Sequence, residues 1–520
     1  MNDRNRQENV EISVSLSAET WQNTNERRRI EKVIEPVPAF QLFLWSILVS
    51  LTSVINPLLT NLATNLQSQN LYAGWALAQG EVAYTNIYGT SGLLYYLLSW
   101  LGNLFLGPVV FLLFQVVALT LAGIYLFQTI SQITVRSGLA RQITILFYLF
   151  VLTLGFGGTY SIIFAFPFIF WSLSHLVKYL QGRVRDESFI RFGMVGALAF
   201  LIEPAFSMLF YSLTTLFLLL YNIAIADKRK ARGFYQLLAG LLGFSLVFYP
   251  LGYYTVLNGS FGVAISQVTY VLEAFRLNSN YLLDHLLYYG LLFLGLGFLT
   301  ALMTAFAFKE EPTDARGMRF IGLLGLPISF VGVLGLPEKG AYQLLITLPF
   351  ALLLLALWLD TGGDRDGHER RHRKPTNASS WNRYLGKQLF LPLLAMLYLL
   401  AYPFVNEYIL SNGVSAERNL AAQHIRENST AKDSIYAWDN TASLYQQAQR
   451  LSTISLLSPS LYTGTEENRI LLRNALNEAS PKFILVNKDV KLFSDIKKKI
   501  SQDYEEVDLE LNHFKLYQSK

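Results

Sequence analysis

The sequence predicts an α-helical membrane protein with about eleven transmembrane helices, followed by a small C-terminal α/β domain. Hydrophobic residues make up 52% of the 520 residues and charged residues only 15%, whereas a soluble domain carries about 25% charged residues. The mean hydropathy is +0.32, and several apolar stretches are long enough to cross a bilayer as helices. From residue 406 onward, charged residues return and short helical and strand patterns alternate.

Composition also excludes several functions. The chain has no cysteine, which excludes disulfides, thiolate metal sites and cysteine nucleophiles. The net charge of +5 requires no nucleic-acid partner, because the cations cluster in short loops, as orientation signals do. No G-x-x-x-x-G-K-[ST] loop is present, so ATP-driven transport has no support.

Residues 1–37 are polar and are predicted to form a cytoplasmic tail, and residues 38–405 form the transmembrane domain. The predicted spans cover about 39–59, 108–131, 143–156, 161–180, two helices within 192–226, 235–256, 283–308, 320–336, 342–359 and 389–405. The division of 192–226 at Glu203 and Pro204 is the weakest step, because joining its halves would invert every later span.

The loops between these spans predict the orientation. Clusters of Lys and Arg in the short loops fall on one side, which the positive-inside rule assigns to the cytoplasm of a plasma membrane. These cations include Arg136, Arg141, Arg183, Arg185, Lys228, Arg229, Lys309, Arg316, Arg365, Arg370, Arg371 and Lys374. The N-terminus is therefore predicted inside and the C-terminus outside, with outer loops at about 61–107, 257–282 and 337–341.

Residues 406–520 are predicted to form an extracellular α/β domain, because strand and helix patterns alternate without a transmembrane run. The helical patterns cover 416–427, 442–450, 466–479 and 490–502, and the strands 434–438 and 482–487, before two terminal strand-like pieces. Asp439 is predicted to cap the helix that follows it.

The first outer loop contains an unusual polar stretch at 69–103, between two apolar spans. It combines aromatic and amide side chains with turn-forming glycines: Tyr72, Trp75, Tyr84, Asn86, Tyr88, Gly80, Gly89 and Gly92. Such a loop suits the binding of a polar ligand at the membrane face. The alternative is an interfacial re-entrant loop that is rich in Tyr and Trp simply because these rings favour the headgroup region.

Three stretches resemble a known family. The first places Tyr72, Ala76, Gly80 and Tyr84 before GTSGLLYYLLSWLG, which would form a helix parallel to the membrane. The second is EKGAYQLLITLPFALLLLA, a late span with Tyr342 at its start, and the third is the tail with DSIYAWDNTASLYQQAQR and SPKFILVN. Together they resemble the polytopic GT-C glycosyltransferases, in particular the bacterial group of dolichyl-phosphate-mannose mannosyltransferases and the lipid A aminoarabinose transferase.

This resemblance implies a GT-C fold and a sugar donor linked to undecaprenyl phosphate within the lipid bilayer. The acceptor would be a cell-surface glycan, a teichoic acid or a protein. Transfer with inversion needs a carboxylate base on the acceptor hydroxyl, and the leaving phosphate needs cations or a metal. No metal-binding spacing predicts a tightly held ion, so the only cofactor considered is a weakly held divalent cation.

The sequence departs from the family at the catalytic position. Family members carry an aspartate or glutamate in the first outer loop before the Tyr, where this chain has Gln69 and Asn70. An amide does not act as a base at neutral pH. Either another carboxylate, of which Glu81 is nearest in sequence, has taken this role, or the chain has lost transferase chemistry.

Glu81 and Glu203 are the candidate catalytic residues. Glu203 lies in the apolar sequence LIEPAF, where a carboxylate is costly and usually has a role; the alternative is a hydrogen bond at a helix break. Glu81 has the alternative of being a solvated loop acid. The candidate donor- or acceptor-binding residues are Gln69, Asn70, Tyr72, Tyr84, Tyr88, Glu273, Arg276, Glu338, Lys339 and Tyr342.

Two of these binding candidates have specific alternatives. Glu273 and Arg276 are three positions apart and can simply pair on one helix face. Lys339 can bind a donor phosphate as a point charge or serve as an interface anchor. Three functions remain open for the chain: a glycosyltransferase, a catalytically silent relative that assists a partner transferase, and a lipid or polysaccharide transporter, which would show paired repeats.

Overall fold

The computed structural model describes residues 35–105, 107–224, 230–277, 279–306, 312–360, 380–411 and 413–520. The predicted tail up to residue 34 and the basic residues at 228–229, 309 and 365–374 lie outside these ranges.

The described part is mostly helical. Its first helices are α1 (Ala39–Leu51), α2 (Asn65–Ala78), α3 (Leu93–Leu104), α4 (Pro108–Ile133), α5 (Leu139–Leu154), α6 (Ser161–Leu180), α7 (Phe189–Ile202), α8 (Pro204–Ala224), α9 (Lys230–Leu257) and α10 (Phe261–Ala274). They are followed by α11 (Ser279–Gly295), α12 (Phe298–Ala305), α13 (Thr313–Leu334), α14 (Leu348–Asp360), α15 (Ser380–Gly386), α16 (Leu391–Val405), α17 (Val414–Glu427), α18 (Ser443–Ala448), α19 (Glu466–Glu478) and α20 (Ser494–Asp503). Short 3₁₀ segments cover Thr60–Leu62, Asp186–Ser188 and Ala341–Thr347, and a π segment covers Asn406–Leu410.

Within the described residues, seven helices are long and apolar enough to cross a membrane, or eight if α11 and α12 count as one span bent by 75°. The other three predicted spans coincide with α1, α5 and α7, which have 13, 16 and 14 residues. At 1.5 Å per residue such helices are roughly 20 to 24 Å long, against about 30 Å of hydrocarbon. The protein is a multi-pass membrane protein, and the count of about eleven spans stays a prediction.

The first span is shorter than the sequence predicts. Helix α1 ends at Leu51, and the backbone N–H of Val54 then donates to the carbonyl of Gly157, 2.8 Å away, instead of continuing the helix. Asn56 and Pro57 follow in turns. The predicted break at Glu203 is confirmed: α7 ends at Ile202, and α8 begins at Pro204, whose missing N–H suits the first helical position.

Helix α6 and the segment 341–360 form the centre of the transmembrane domain, each with 83% of its apolar window buried. Helices α9 and α16 lie at the periphery, with only 17% and 11% of their windows buried. Their exposed Leu and Phe side chains suit contact with lipid. Helix α7 packs along α9 at glycines, because the position of a Cβ on Gly243 lies only 1.9 Å from the carbonyl oxygen of Ile190.

The C-terminal domain contains a four-stranded sheet in the order β1-β2-β4-β3. Strand β1 (Ile435–Trp438) runs parallel to β2 (Phe483–Asn487), and β4 (Phe514–Ser519) is antiparallel to both β2 and β3 (Tyr504–Glu506). The predicted α/β pattern is confirmed, with helix ends within a few residues of those expected.

This domain docks on α2 through its main chain. The backbone N–H of Ser452 donates to the hydroxyl of Tyr72 at 2.8 Å, and that of Ala442 donates to the hydroxyl of Ser68 at 2.9 Å. Both acceptor side chains are buried. A hydrogen bond between buried groups leaves neither partner with an unpaired polar atom, so the transmembrane and C-terminal domains form a continuous interface.

Candidate functional site

A cavity of about 820 Å³ lies between the transmembrane helices and the C-terminal domain. Tyrosine side chains from the spans form one side, the loop 337–341 forms a second, and polar residues of the C-terminal domain form a third. Three of the predicted binding residues line it: Glu338, Lys339 and Tyr342. The other candidate residues are not among its lining residues.

Tyr342 forms part of the aromatic side of the cavity. Its ring stacks on that of Tyr160, with centroids 4.6 Å apart and planes 11° apart. The hydroxyl of Tyr160 lies 3.1 Å from the hydroxyl of Thr64, which also caps helix α2. The late span and the first outer loop therefore meet at this stacked pair.

Lys339 lies on the loop 337–341 and lines the cavity with a cationic side chain. Its Nζ donates to Asp284 Oδ2 at 2.7 Å and lies 4.7 Å from the ring centroid of Tyr288. The lysine side chain is 38% exposed and the aspartate 66%. Water and salt screen an ion pair this exposed, so it contributes little to stability, and a competing anion can displace the aspartate at low cost.

Glu338 points from the same loop into a buried polar environment. Its Oε1 accepts from the hydroxyl of Tyr270 at 2.8 Å and from the backbone N–H of Tyr462 at 3.3 Å. Burial raises the pKa of this carboxyl above its usual value. Carboxyl groups with a raised pKa are suited to proton transfer near neutral pH.

The C-terminal side of the cavity holds a buried ion pair. Arg418 Nε donates to Asp439 Oδ2 at 2.8 Å, with side chains 7% and 0% exposed. Asn487 donates to the other carboxylate oxygen, also at 2.8 Å. The prediction that Asp439 caps the next helix is wrong, because its two oxygens are held by Arg418, Asn487 and the backbone N–H of Asn440.

The amides at the position of the family's missing acid have structural roles. Helix α2 extends through this part of the predicted loop, and both Gln69 and Asn70 are buried in it. Asn70 Nδ2 donates to the carbonyl of Thr159 at 2.9 Å, and Gln69 Nε2 donates to Asn65 Oδ1 at 3.1 Å. Their side chains thus stabilise the helix and its contact with residues 157–159.

Tyr84 and Tyr88 are packing residues of the first outer loop. Tyr84 has a φ of +68° and donates its hydroxyl to the carbonyl of Ser91 at 2.9 Å. The hydroxyl of Tyr88 accepts from Asn468 Nδ2 at 2.7 Å, and its ring lies 5.2 Å from that of Tyr462. The Tyr84 bond lies within the loop, whereas the Tyr88 contacts join the loop to the C-terminal domain, as Tyr72 does.

Glu203 lies beside this loop, between α7 and α8 and outside both helices. It accepts a short hydrogen bond from the hydroxyl of Ser161, which in turn accepts from Ser91 Oγ at 3.1 Å. Gly92 anchors the loop here, because its N–H donates to the carbonyl of Ile202 at 2.9 Å and a Cβ would meet the carbonyl of Leu201 at 2.2 Å. Burial raises the pKa of Glu203 to about 7.

Tyr462 lies near both Glu338 and Glu203. Both Glu338 and Glu203 lie close enough for their charges to raise the pKa of its hydroxyl, in addition to the larger effect of burial.

The three remaining candidates lie apart. Glu81 is half-buried after the end of α2, and burial raises its pKa. Glu273 and Arg276 are exposed and do not pair with each other: Glu273 accepts from Thr269 at 3.1 Å, and Arg276 donates to the carbonyl of Phe275 at 2.8 Å. The structure therefore contradicts the alternative of an ion pair between Glu273 and Arg276.

Several cavity residues were not predicted from the sequence. Among those that carry polar or aromatic groups are Tyr288, Tyr398, Tyr402, Asn406, Glu407, Arg418, Asn440, Asn487 and Asp489. The tyrosines look like membrane-interface residues, and the polar residues look like ordinary surface residues of a small domain. Only the docking of that domain on the spans brings them together.

The structure offers no ready metal site among the ranges it describes, where no three His, Asp or Glu side chains come together as ligands. The weakly held divalent cation stays a prediction.

These helices with the C-terminal α/β domain have the GT-C fold. The crystal structure of ArnT from Cupriavidus metallidurans bound to undecaprenyl phosphate is similar over 92% of this chain and 97% of its own, with a TM-score of 0.56 and 12% identity. The chain belongs to the family described as putative competence-induced protein Ccs4, whose N-terminal domain matches residues 26–412 and whose C-terminal domain matches residues 415–520. A comparison with curated proteins finds no match.

Proposed function

We propose that this protein is a membrane glycosyltransferase that moves a sugar from an undecaprenyl-phosphate-linked donor to a cell-surface acceptor. The observation that carries the proposal is the cavity between the spans and the outer domain, in which a cation, a buried acid and aromatic rings meet. The GT-C fold supports it, as does the similarity to a protein with undecaprenyl phosphate bound.

The donor phosphate would bind at Lys339. Its present partner Asp284 is largely exposed, so exchange of the carboxylate for a phosphate costs little. A lipid tail would extend from there along the spans, and the sugar would lie against Tyr342 and its stacked partner Tyr160. Binding at the boundary between span and outer domain fits a donor that cannot leave the bilayer.

Glu338 is the proposed base. Of the acids considered, it alone lines the cavity, and a base must come within hydrogen-bond reach of the acceptor hydroxyl. Glu338 would take the hydroxyl proton while the acceptor oxygen forms a bond to the anomeric carbon. The bond from that carbon to the phosphate oxygen would break, and undecaprenyl phosphate would leave with the electron pair beside Lys339. Glu203 and Glu81 stay proposed as alternatives.

Transfer by the purified full-length protein tests this assignment. Glu338→Gln is expected to lower the rate by about 10²- to 10⁴-fold, as loss of a general base does, with lipid-phosphate binding unchanged. Glu203→Gln and Glu81→Gln are assayed beside it, together with the exposed acid variant Glu478→Gln as a control. Full activity in Glu338→Gln, with loss in Glu203→Gln or Glu81→Gln, would move the base to that residue.

A catalytically silent relative is the second candidate function, and one observation favours it. Gln69 and Asn70 stand where the GT-C glycosyltransferases that the sequence resembles carry an acid, and both are engaged in structural hydrogen bonds. Such a protein would bind the lipid carrier in the same cavity and present it to a partner. Binding of undecaprenyl phosphate without transfer, in a membrane extract that supplies donor and acceptors, would favour this function over catalysis.

A further inference from the structure

We propose that the cavity accepts a glycan free of phosphate and carboxylate groups, and that Asp489 and Glu407 exclude anionic acceptors such as teichoic acid. This inference rests on the proposed function for the role of the site, and it chooses among the acceptors that function leaves open.

The first argument is the balance of charge around the cavity. Among the described residues, six charged side chains line it: Lys339, Arg418, Glu338, Glu407, Asp439 and Asp489. Both cations already have a carboxylate partner, because Arg418 pairs with Asp439 and Lys339 pairs with Asp284 outside the lining set. The charges left uncompensated are therefore all negative.

The second argument concerns the two acids themselves. Within the described parts of the chain, neither the Glu407 nor the Asp489 side chain has a hydrogen-bond or ion-pair partner. Asp489 is exposed, and its only polar contact is through its backbone N–H, which donates to Asn487 Oδ1 at 2.9 Å. The nearby cation Lys488 is turned away, since its Nζ donates to the carbonyls of Leu511 and Asn512.

Lys339 does not serve an anionic acceptor as well as the donor. It lies on the loop 337–341, whereas Glu407 follows the last span and Asp489 follows strand β2. Of the two described cations that line the cavity, only Lys339 can change partner easily, and the donor phosphate occupies it when it displaces Asp284. Arg418 is buried in its pair with Asp439, and separating a buried pair is strongly unfavourable.

The remaining lining groups suit neutral sugar. The side chains of Asn406 and Asn440 have no hydrogen-bond partner among the described residues, and amides offer both donors and acceptors to hydroxyl groups. Tyr398 and Tyr402 are 51% and 48% exposed, with ring centroids 5.8 Å apart. Aromatic rings with a few placed polar groups are the usual lining of a ligand site, and these rings can cover the apolar face of a sugar.

The expected size of the exclusion follows from Coulomb's law. A negative charge about 6 Å from one carboxylate weakens binding about threefold even at the dielectric constant of water, and two carboxylates together weaken it about tenfold. Salt reduces this effect, because the screening length is about 10 Å at 0.1 M ionic strength.

Binding of two oligomers to the full-length protein in detergent tests the inference, with saturating undecaprenyl phosphate present so that Lys339 is already occupied. The probes are an N-acetylglucosamine tetrasaccharide and a glycerol phosphate tetramer, each titrated at low and high salt. The wild type is expected to bind the neutral tetrasaccharide at least about tenfold more tightly. Added salt is expected to improve binding of the phosphate oligomer alone.

In the double variant Asp489→Asn with Glu407→Gln, the preference for the neutral tetrasaccharide over the phosphate oligomer is expected to fall to about threefold or less. A control with Asp508→Asn and Glu478→Gln, two exposed acids of the same domain away from the cavity, is expected to keep it. The salt titration on the wild type gives the answer even if the double variant fails to fold.

Equal or tighter binding of the phosphate oligomer by the wild type would overturn the inference, as would the absence of any binding of the neutral tetrasaccharide. Sugar transfer is measured separately. Transfer to an anionic acceptor would refute the exclusion and leave the transferase intact, whereas glycan selectivity without any transfer would refute the transferase alone.

Discussion

At the scale of single residues, Glu338 and Lys339 are adjacent in sequence but have different kinds of hydrogen-bond partner. Glu338 is held by Tyr270 and the backbone of Tyr462, and Lys339 by Asp284. The first set of contacts is partly buried and the second is exposed. The acid is therefore fixed in position, whereas the lysine is free to change partner.

Lys339 carries a direct prediction about the donor. Lys339→Ala is expected to weaken binding of undecaprenyl phosphate by about 10- to 100-fold, the usual loss for a hydrogen bond to a charged group. Lys339→Arg should keep most of the affinity, and Asp284→Asn should increase it by removing the competing carboxylate. Equilibrium binding to the purified variants measures all three, and unchanged affinity in Lys339→Ala would place the phosphate elsewhere.

Glu338 carries a prediction about pH. Because burial raises its pKa, the folded protein holds this proton more tightly than the unfolded chain does. Its contribution to stability is fully present below the unfolded pKa and is lost as pH rises through the folded pKa. A base must also be deprotonated, so transfer is expected to fall as pH drops through the same range.

The variant Glu338→Gln separates these effects. Both hydrogen bonds to Glu338 end on Oε1, and a glutamine can accept both with its amide oxygen. The variant is therefore expected to be at least as stable at neutral pH as the wild type, with a smaller pH dependence of unfolding, while transfer is lost. Loss of stability together with activity would instead indicate a structural role.

The sequence singled out Glu338 and Lys339 as ionisable groups at the end of a predicted span, and Tyr342 through the resemblance of the late span to the GT-C glycosyltransferases. It could not show that Gln69 and Asn70 are buried on a helix, since a polar run beside glycines suits a loop equally well. It also missed Asp489 and Glu407. Single acids outside a periodic segment carry no sequence pattern, and their role depends on which part of the protein packs opposite them.

At the scale of elements, the contact between α7 and α9 depends on glycine. A Cβ on Gly243 would lie 1.9 Å from the carbonyl of Ile190, and one on Gly193 would lie 1.9 Å from that of Gly240. Two helices that approach this closely gain backbone packing, a common feature of membrane bundles. The helix that ends beside Glu203 is thus held from one side by this contact.

Gly243→Ala is expected to destabilise the protein by about 1 to 3 kcal/mol, the typical cost of overpacking. Gly290→Ala is the matched control, because a Cβ there meets nothing within 4 Å and alanine favours a helix. Thermal unfolding in detergent should show a lower midpoint for the first variant and an unchanged or higher one for the second. Equal midpoints would mean that the helices separate without cost.

Sequence periodicity predicted the elements of the outer domain well, because its strands and helices alternate in short, clearly bounded pieces. The break at Glu203 and Pro204 was also predicted, since proline cannot continue the preceding helix. The early end of α1 was not predicted. It depends on the bond from Val54 to Gly157, a partner distant in sequence that local hydropathy does not detect.

At the scale of the whole molecule, orientation is still a prediction. The distribution of Lys and Arg places the C-terminus outside, and the proposed chemistry requires the cavity to face an exported acceptor. A protease-cleavable tag after Lys520 is expected to be removed from intact cells by added protease, whereas the same tag before Met1 is expected to be protected. The reverse pattern would contradict both the topology and the proposed function.

The sequence predicted the architecture but not the cavity. Long apolar runs define helices wherever they occur, and the alternation in 406–520 defines an α/β domain. The cavity instead arises where distant parts of the chain meet, among them the loop after α13, the end of α16 and the turns after β1 and β2. No local pattern encodes such a meeting.

The bond between Tyr72 and Ser452 joins residues 380 positions apart, and this separation has a consequence for biosynthesis. At about 5 to 20 residues per second, the ribosome delivers Ser452 roughly 20 to 80 s after Tyr72. During this interval, the hydroxyl groups of Tyr72 and Ser68 await their final main-chain donors. The nascent chain must therefore keep these two hydroxyl groups hydrated or covered by a chaperone until translation is almost complete.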